Sequence, residues 1–377
     1  MSTTTSPPLS PLPFTTLDVF TTTPYHGGNP VAVIHIPASL SKDGTITPAQ
    51  KQLIGREFNL SEIVFLHEDL PASTDHDGNP ITPVPGTAKI DIFTHHREVP
   101  FAGHPTIGTS NYILRYLALS ADPAVAARWR DVNTLLTRAG PLPISLAKAP
   151  GAQESLQHGS NVEGVQLNVA HNVHIHQPRL TSPAMLSKFD PAGRGNFTDA
   201  EVANFPVVSS VKGMTVFLVQ LKNLDDLKNK PTMNIIGALS TYSTDAAELM
   251  DPGWQVGILT TYFYVDLGIA EDENGKTRIL RTRMFGSRED PATGSAASAL
   301  CGWLSLTEKG GGRVRKYHIT QGVEMGRRCE IGVEVTLKEG EKEIDTLVLR
   351  GTAAKSMEGV LDVPILYDEV DEPVLVE

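Results

Sequence analysis

Apolar and polar positions set out a chain of many short strands. Thr16 to Phe20 (TLDVF) alternates and predicts a strand, and Pro30 to Ile36 (PVAVIHI) is a β-branched run entered from the turn Gly27-Gly28-Asn29-Pro30. Ser61 to Leu66 (SEIVFL) and Lys89 to Thr94 (KIDIFT) predict two more, separated by a Pro/Gly/Asp-rich surface loop. In the second half, strands are predicted over Thr215–Gln220, Thr261–Val265, Leu280–Phe285, Tyr317–Thr320, Glu330–Val335 and Thr346–Leu349. Helices are predicted over Pro48–Phe58, Pro105–Leu119, Asp225–Asn229 and a small-residue stretch from Ser295 to Leu304. Many strands with few long helices define a mixed α and β class.

One passage is written twice. Moving REVPFAGHPTIGTS (from Arg97) forward by 191 residues places Glu98 on Glu289, Pro100 on Pro291, Gly103 on Gly294 and His104 on Ser295. Each copy follows a strand ending in phenylalanine, Phe93 or Phe285, and precedes a helix. The period is too long for a solenoid and predicts two similar domains related by a pseudo-twofold axis. Two such helix starts facing one cleft would offer unpaired amides and partial positive charge to an anion. Asp290-Pro291 and His104-Pro105, taken singly, also look like an ordinary helix cap followed by proline. Their duplication favours a ligand site.

Composition narrows the function. The 377 residues carry 32 basic and 43 acidic side chains, a net charge of −11, so the basic footprint of a nucleic-acid binder is missing. Two cysteines, Cys301 and Cys329, are too few for a disulfide framework and lack metal-ligand spacing, which points to a reducing, cytoplasmic setting. No apolar run approaches the ~20 residues of a membrane helix. MSTTTSPPLSPLPF has neither basic residues nor an apolar core and reads as a disordered tail, not a signal peptide.

The segments DVFTTTPYHGGNPVAVI (18–34), FNLSEIVFL (58–66), IDIFTHHREVPFAGHPTIGTS (90–110), MFGSREDPATGSAASAL (284–300) and ITQGVEMGRR (319–328) resemble the phenazine-biosynthesis isomerase-like (PhzF-like) family. That resemblance implies an α+β, diaminopimelate epimerase-like fold: two pseudo-symmetric domains, each a β-barrel-like sheet around a central helix. The expected division is a tail over 1–13, domains over 14–180 and 181–356, and a C-terminal extension over 357–377. Insertions are expected near 70–86, 120–135, 150–160 and 185–200. A homodimer is also implied.

By the same resemblance Glu62 is the proton-shuttling carboxylate, with His104 and Asp290 as catalytic partners. Asn29, Ser61, Gly103, Gly294 and Ser295 would hold the substrate, a small carboxylate. A carboxyl partly withdrawn from water keeps a proton more readily, and can both take one from carbon and return it. Return to another carbon isomerises; two bases on opposite faces epimerise. Racemases of this fold place one thiol on each facing loop, but Ala102 and Pro291 stand there, and Cys301 falls mid-helix as a buried small side chain. A single-carboxylate isomerase without cofactor is therefore preferred over an epimerase or a binding protein that has lost turnover.

Other features are set aside. His174 and His176 in HNVHIHQP would share a strand face, but no carboxylate follows at a useful spacing and no metal site is expected. Asn274-Gly275-Lys276-Thr277 suggests a phosphate loop, yet Ala270 stands where that motif needs glycine, and a hairpin turn is the better reading.

Overall fold

Thr47-Pro48-Ala49-Gln50 starts a helix by local chemistry alone. The Thr47 hydroxyl accepts from the Gln50 amide, the Gln50 side chain accepts from the Thr47 amide, and Pro48 sits where a missing N–H costs nothing. Helix α1 (Pro48–Phe58) follows over the predicted span, and Asn59 ends it in the left-handed region. The structure, a computed structural model, describes residues 10–41, 45–70, 73–74, 80–81, 85–148, 162–169, 172–177, 197–236, 249–272 and 275–366. Most of the loop expected over 70–86, the insertion near 150–160, most of that near 185–200 and most of the tail lie outside these residues. Two compact units make up the chain: Met1–Asp18, Pro30–Ile144 and Ala354–Glu377 form one, and Val19–Asn29 with Ser145–Ala353 the other.

The first unit holds β1 (Leu12–Val19), β2 (Asn29–Ile36) and β3 (Ile63–His67). A two-residue ribbon of β4 (Ser73–Thr74) and β5 (Pro80–Ile81) precedes β6 (Thr87–Phe93), β7 (Glu98–Val99), β8 (Thr134–Thr137) and β9 (Gly140–Lys148). β1 begins at Leu12, inside the stretch read as tail. Strand β2 runs parallel to β3, and β3 antiparallel to β6. β6 then pairs antiparallel with β7 and parallel with β8, which turns back as β9. Helix α2 (Gly103–Asn111) runs on into a π-helical turn at Tyr112–Leu117, and α3 (Pro123–Trp129) occupies the span of an expected insertion.

Both faces of this sheet are buried. Ala32, Ile34, Ile36, Ile63 and Phe65 join Ile54 of α1 in one cluster, while the alternate residues Val31, Val33, Val64 and Leu66 point to the opposite face. Asp91 sits in the sheet as a paired charge: Lys51 Nζ lies 2.5 Å and His67 Nε2 2.7 Å from its Oδ2. Burial alone would raise this carboxyl, but the His67 hydrogen bond and the Lys51 charge outweigh it and hold Asp91 well below the usual range.

The second unit contains β10 (Val162–Asn168), β11 (His174–Ile175), β12 (Val207–Val211), β13 (Met214–Gln220), β14 (Ile258–Asp272) and β15 (Gly275–Phe285). It continues with β16 (Glu289–Asp290), β17 (Val314–Gln321), β18 (Cys329–Leu337) and β19 (Ile344–Gly351). The last strand, β20 (Ala353–Leu361), lies in the first unit apart from Ala353 and pairs there with β1. Helices α4 (Asp199–Ala203) and α5 (Leu224–Asn229) lie beside a cluster that includes Val202, Phe217, Leu227, Phe263 and Phe285. Helix α6 (Gly294–Thr307) packs against β12, β13, β17, β18 and β19, so the sheet wraps it. β14 and β15 pair antiparallel as far as Asp272 and Gly275, in keeping with the hairpin reading.

The duplicated passage marks a duplicated topology. β13 runs parallel to β14, β14 antiparallel to β15, and β15 antiparallel to the short β16 and parallel to β17, which turns back as β18. That is the order of β2, β3, β6, β7, β8 and β9. Phe93 faces Glu98 in one unit and Phe285 faces Glu289 in the other. Each glutamate meets an arginine, Arg138 at 3.0 Å and Arg283 at 2.7 Å. The central helices begin at Gly103 and Gly294, the two glycines aligned by the repeat.

Candidate active site

In the first unit the α1 cap, Leu60 and Ser61 lead to Glu62, one residue before β3. Ser61 and Glu62 are half-buried. His104 is the second residue of α2, and its side chain is 4% exposed against 21% for Glu62. Nδ1 of His104 lies 3.2 Å from Oε2 of Glu62, and Nε2 lies 3.3 Å from the Pro30 carbonyl. A carbonyl only accepts, so Nε2 carries hydrogen. Nδ1 and a carboxylate oxygen, both bare, would repel at that separation. A proton held by either partner, Glu62 with a neutral ring or His104 with an ionised carboxylate, would bridge the two atoms.

All nine residues of α2 are buried, although most are polar or glycine. Its side chains satisfy themselves on the helix. Thr106 donates to the Ala102 carbonyl, Thr109 to Pro105, Ser110 to Thr106 and Asn111 to Ile107, each over 2.7–2.9 Å. His104 is the polar side chain of this helix that reaches a carboxyl outside it.

The second unit gathers Asn29, Asp290, Gly294 and Ser295. Gly28 N–H donates to the Arg328 carbonyl and Arg327 Nε donates to the Gly28 carbonyl, which anchors the turn before Asn29. Asn29 Nδ2 then donates to Asp290 Oδ1 at 2.8 Å and to the Ala292 carbonyl at 3.0 Å. Thr293 Oγ1 donates to Asp290 Oδ2. Gln321 Nε2 donates to the Asp290 carbonyl at 2.8 Å, while its Oε1 accepts from Tyr262 at 2.9 Å. Gly322, with φ +75°, is required here: a Cβ would stand 2.5 Å from the Arg327 carbonyl and 2.7 Å from that of Pro291.

Neither cap reading holds. Asp290 lies in β16, opposite Met284, and the residue before α6 is Thr293, whose hydroxyl turns to Asp290 instead of capping. In the first unit the residue before the helix is Ala102. Ser295 is half-buried as the second residue of α6. Thr293, Gln321 and Tyr262 were not singled out in the sequence, although Gln321 stands inside the segment ITQGVEMGRR. Both thiols are buried: burial raises Cys301 far above its ordinary value, and burial followed by the Asp290 charge raises Cys329.

Solved structures share this fold. A PhzF-family phenazine biosynthesis protein from Bacillus anthracis superposes with a TM-score of 0.59 at 18% identity, over 94% of this chain and 99% of its own. A hydroxyproline epimerase from Agrobacterium vitis gives 0.51 at 12% identity, over 96% and 94%. The α+β architecture is thus that of the diaminopimelate epimerase-like class. The profile of the phenazine biosynthesis-like protein family, PhzC-PhzF, matches residues 17–359, and the chain belongs to that family. A protein of Pasteurella multocida named as an uncharacterized isomerase is 30% identical over 335 residues, covering 88% of this chain and 89% of its own. The trans-2,3-dihydro-3-hydroxyanthranilate isomerase of Pseudomonas aeruginosa is 27% identical over 354 residues, 92% and 98% of the two chains. The chain is an enzyme of this isomerase family.

Proposed function

We propose that the chain isomerises a small carboxylate by lifting a proton from one carbon and returning it to another, with Glu62 as the carrier. The reading rests on the 3.2 Å approach of Glu62 Oε2 to His104 Nδ1, close enough for one proton to be shared. With that proton on His104, Glu62 is an ionised base beside a donor. It takes hydrogen from a substrate C–H, and the electron pair moves into the conjugated system toward the substrate carboxylate. With a proton on Glu62, the same oxygen acts as the acid that delivers it to the new carbon. No electrons leave the substrate, so the step needs no redox partner.

Asp290 is proposed as a polar partner in the reaction, and Asn29, Ser61, Gly103, Gly294 and Ser295 as residues that hold the substrate. The buried thiols support isomerisation over a two-thiol racemase route, since burial keeps both protonated. By likeness to the relative named for it, trans-2,3-dihydro-3-hydroxyanthranilate heads the panel of cyclic and amino carboxylates to try. Each compound is first screened for thermal stabilisation of the protein, then incubated with it in D2O. Glu62→Gln is expected to keep the fold and lose deuterium incorporation into any compound the wild type turns over. Exchange at the wild-type rate in that variant would end the proposal.

A further inference from the structure

The carboxylate that the sequence did not place near His174 and His176 arrives from elsewhere in the chain. Asp251 brings its Oδ2 to 2.8 Å from His174 Nε2 and 3.8 Å from His176 Nδ1, and the three ligand atoms lie within 4.8 Å of one another. We propose that His174, His176 and Asp251 form a site for one divalent transition-metal ion of the zinc class. The site uses none of the residues assigned to proton transfer.

The arrangement is built from the strand upward. β11 pairs with β12 at His174 and Ser209, and the two histidines, two residues apart, present their rings on one face with centroids 4.7 Å apart. A chain of hydroxyls sets the tautomer of His176. Thr215 Oγ1 donates to the sulfur of Met250, so it accepts from Ser209 Oγ, and Ser209 in turn accepts from His176 Nε2. His176 therefore carries its hydrogen on Nε2 and is bare at Nδ1, where it accepts the Asp251 amide at 3.0 Å. An outer hydrogen bond that fixes the ring and leaves the other nitrogen bare is how metal-binding histidines are prepared.

Geometry and chemistry select the ion. Zinc bonds of about 2.0–2.1 Å in a tetrahedron put neighbouring ligand atoms roughly 3.4 Å apart, and the distances 2.8 and 3.8 Å straddle that value. Two imidazoles and one carboxylate suit zinc, nickel or copper better than magnesium or calcium. The His176 side chain is fully enclosed and that of His174 is 33% exposed, so the ion enters past His174 and completes its shell with water. On binding, His174 moves its hydrogen from Nε2 to Nδ1, and His176 gives its lone pair to the ion in place of the Asp251 amide. The Asp251 amide bond to His176 and the His174–Asp251 hydrogen bond are lost, and three coordinate bonds form. Trp254 lies flat on the His174 ring, 4.4 Å away and tilted 10°, and limits its rotation.

The test uses the untagged full chain, stripped with chelator and titrated with zinc sulfate by calorimetry. One ion per chain is expected. His174→Ala and Asp251→Asn should each weaken binding by at least about 10-fold, the lower end of the loss seen even for partners outside the coordination sphere. Nickel should quench tryptophan fluorescence in the wild type and much less in Trp254→Phe. Glu62→Gln should bind zinc as the wild type does, which separates this site from the proposed reaction. The proposal is overturned if the wild type takes up no stoichiometric zinc, or if His174→Ala binds it equally well. Because His174 is partly exposed, that variant carries the test even if Asp251→Asn fails to fold.

Discussion

The two units use one framework to hold a carboxyl in opposite ways. In the first, Glu62 Oε2 lies 3.2 Å from Nδ1 of His104, a ring that can give or take a proton. In the second, Asp290 is clamped by Asn29 and Thr293 on its carboxylate and by Gln321 on its backbone. Pairing order, short strand and helix start are common to both, so the difference lies in a few side chains set on equivalent scaffolding. On the proposed reading, the carboxyl beside a histidine exchanges a proton and the clamped one orients.

The largest effect should come from charge removal at each carboxyl. Glu62→Gln can still hydrogen-bond His104, so its melting point should stay near that of the wild type while proton exchange falls by about 10² to 10⁴-fold. Asp290→Asn turns an NH2 toward Asn29 or Thr293, and should lower the melting point as well as turnover, with about 1–3 kcal/mol lost from the broken clamp. Equal melting points for the two variants would erase the contrast.

Next in size is an acid sensitivity of the first unit. Burial lowers His35 from its ordinary 6.5 to about 4, and its Nε2 lies 2.9 Å from the Tyr112 hydroxyl. Between those values the unfolded chain binds a proton that the folded chain refuses. The stabilisation is complete above 6.5 and is lost as pH falls toward 4, a change of roughly 3 kcal/mol. Hydrogen exchange should show β2 and α2 weakening over that range, and His35→Asn should flatten the dependence. The smallest effect is local to the second unit: Gly322→Ala should destabilise by about 1–3 kcal/mol through its positive φ and the Pro291 overlap. Denaturant melts would read it, and an unchanged midpoint would show that the turn can yield.

Local chemistry was legible in the sequence. Helix α1 was predicted over its observed span, Pro48–Phe58, and the 191-residue repeat located two helix starts, each after a strand ending in phenylalanine. The Asp290 clamp was only partly readable, because Gln321 and Tyr262 reach it through strand pairings 28 residues or more away. Asp290-Pro291 misled as a cap, since pairing with Met284 draws Asp290 into a strand. Asp251 lies 75 residues beyond His176, a distance that spacing rules for adjacent ligands do not cover.

Helix α2 has little reason to exist alone. GHPTIGTSN holds two glycines, a proline and four short polar side chains, all weak helix formers, and nothing in it would stay coiled in water. Enclosure by the rest of its unit supplies what propensity does not. His104 therefore reaches Glu62 only when that unit has closed around its own axis, so heat inactivation and loss of the fold should be a single event for this enzyme.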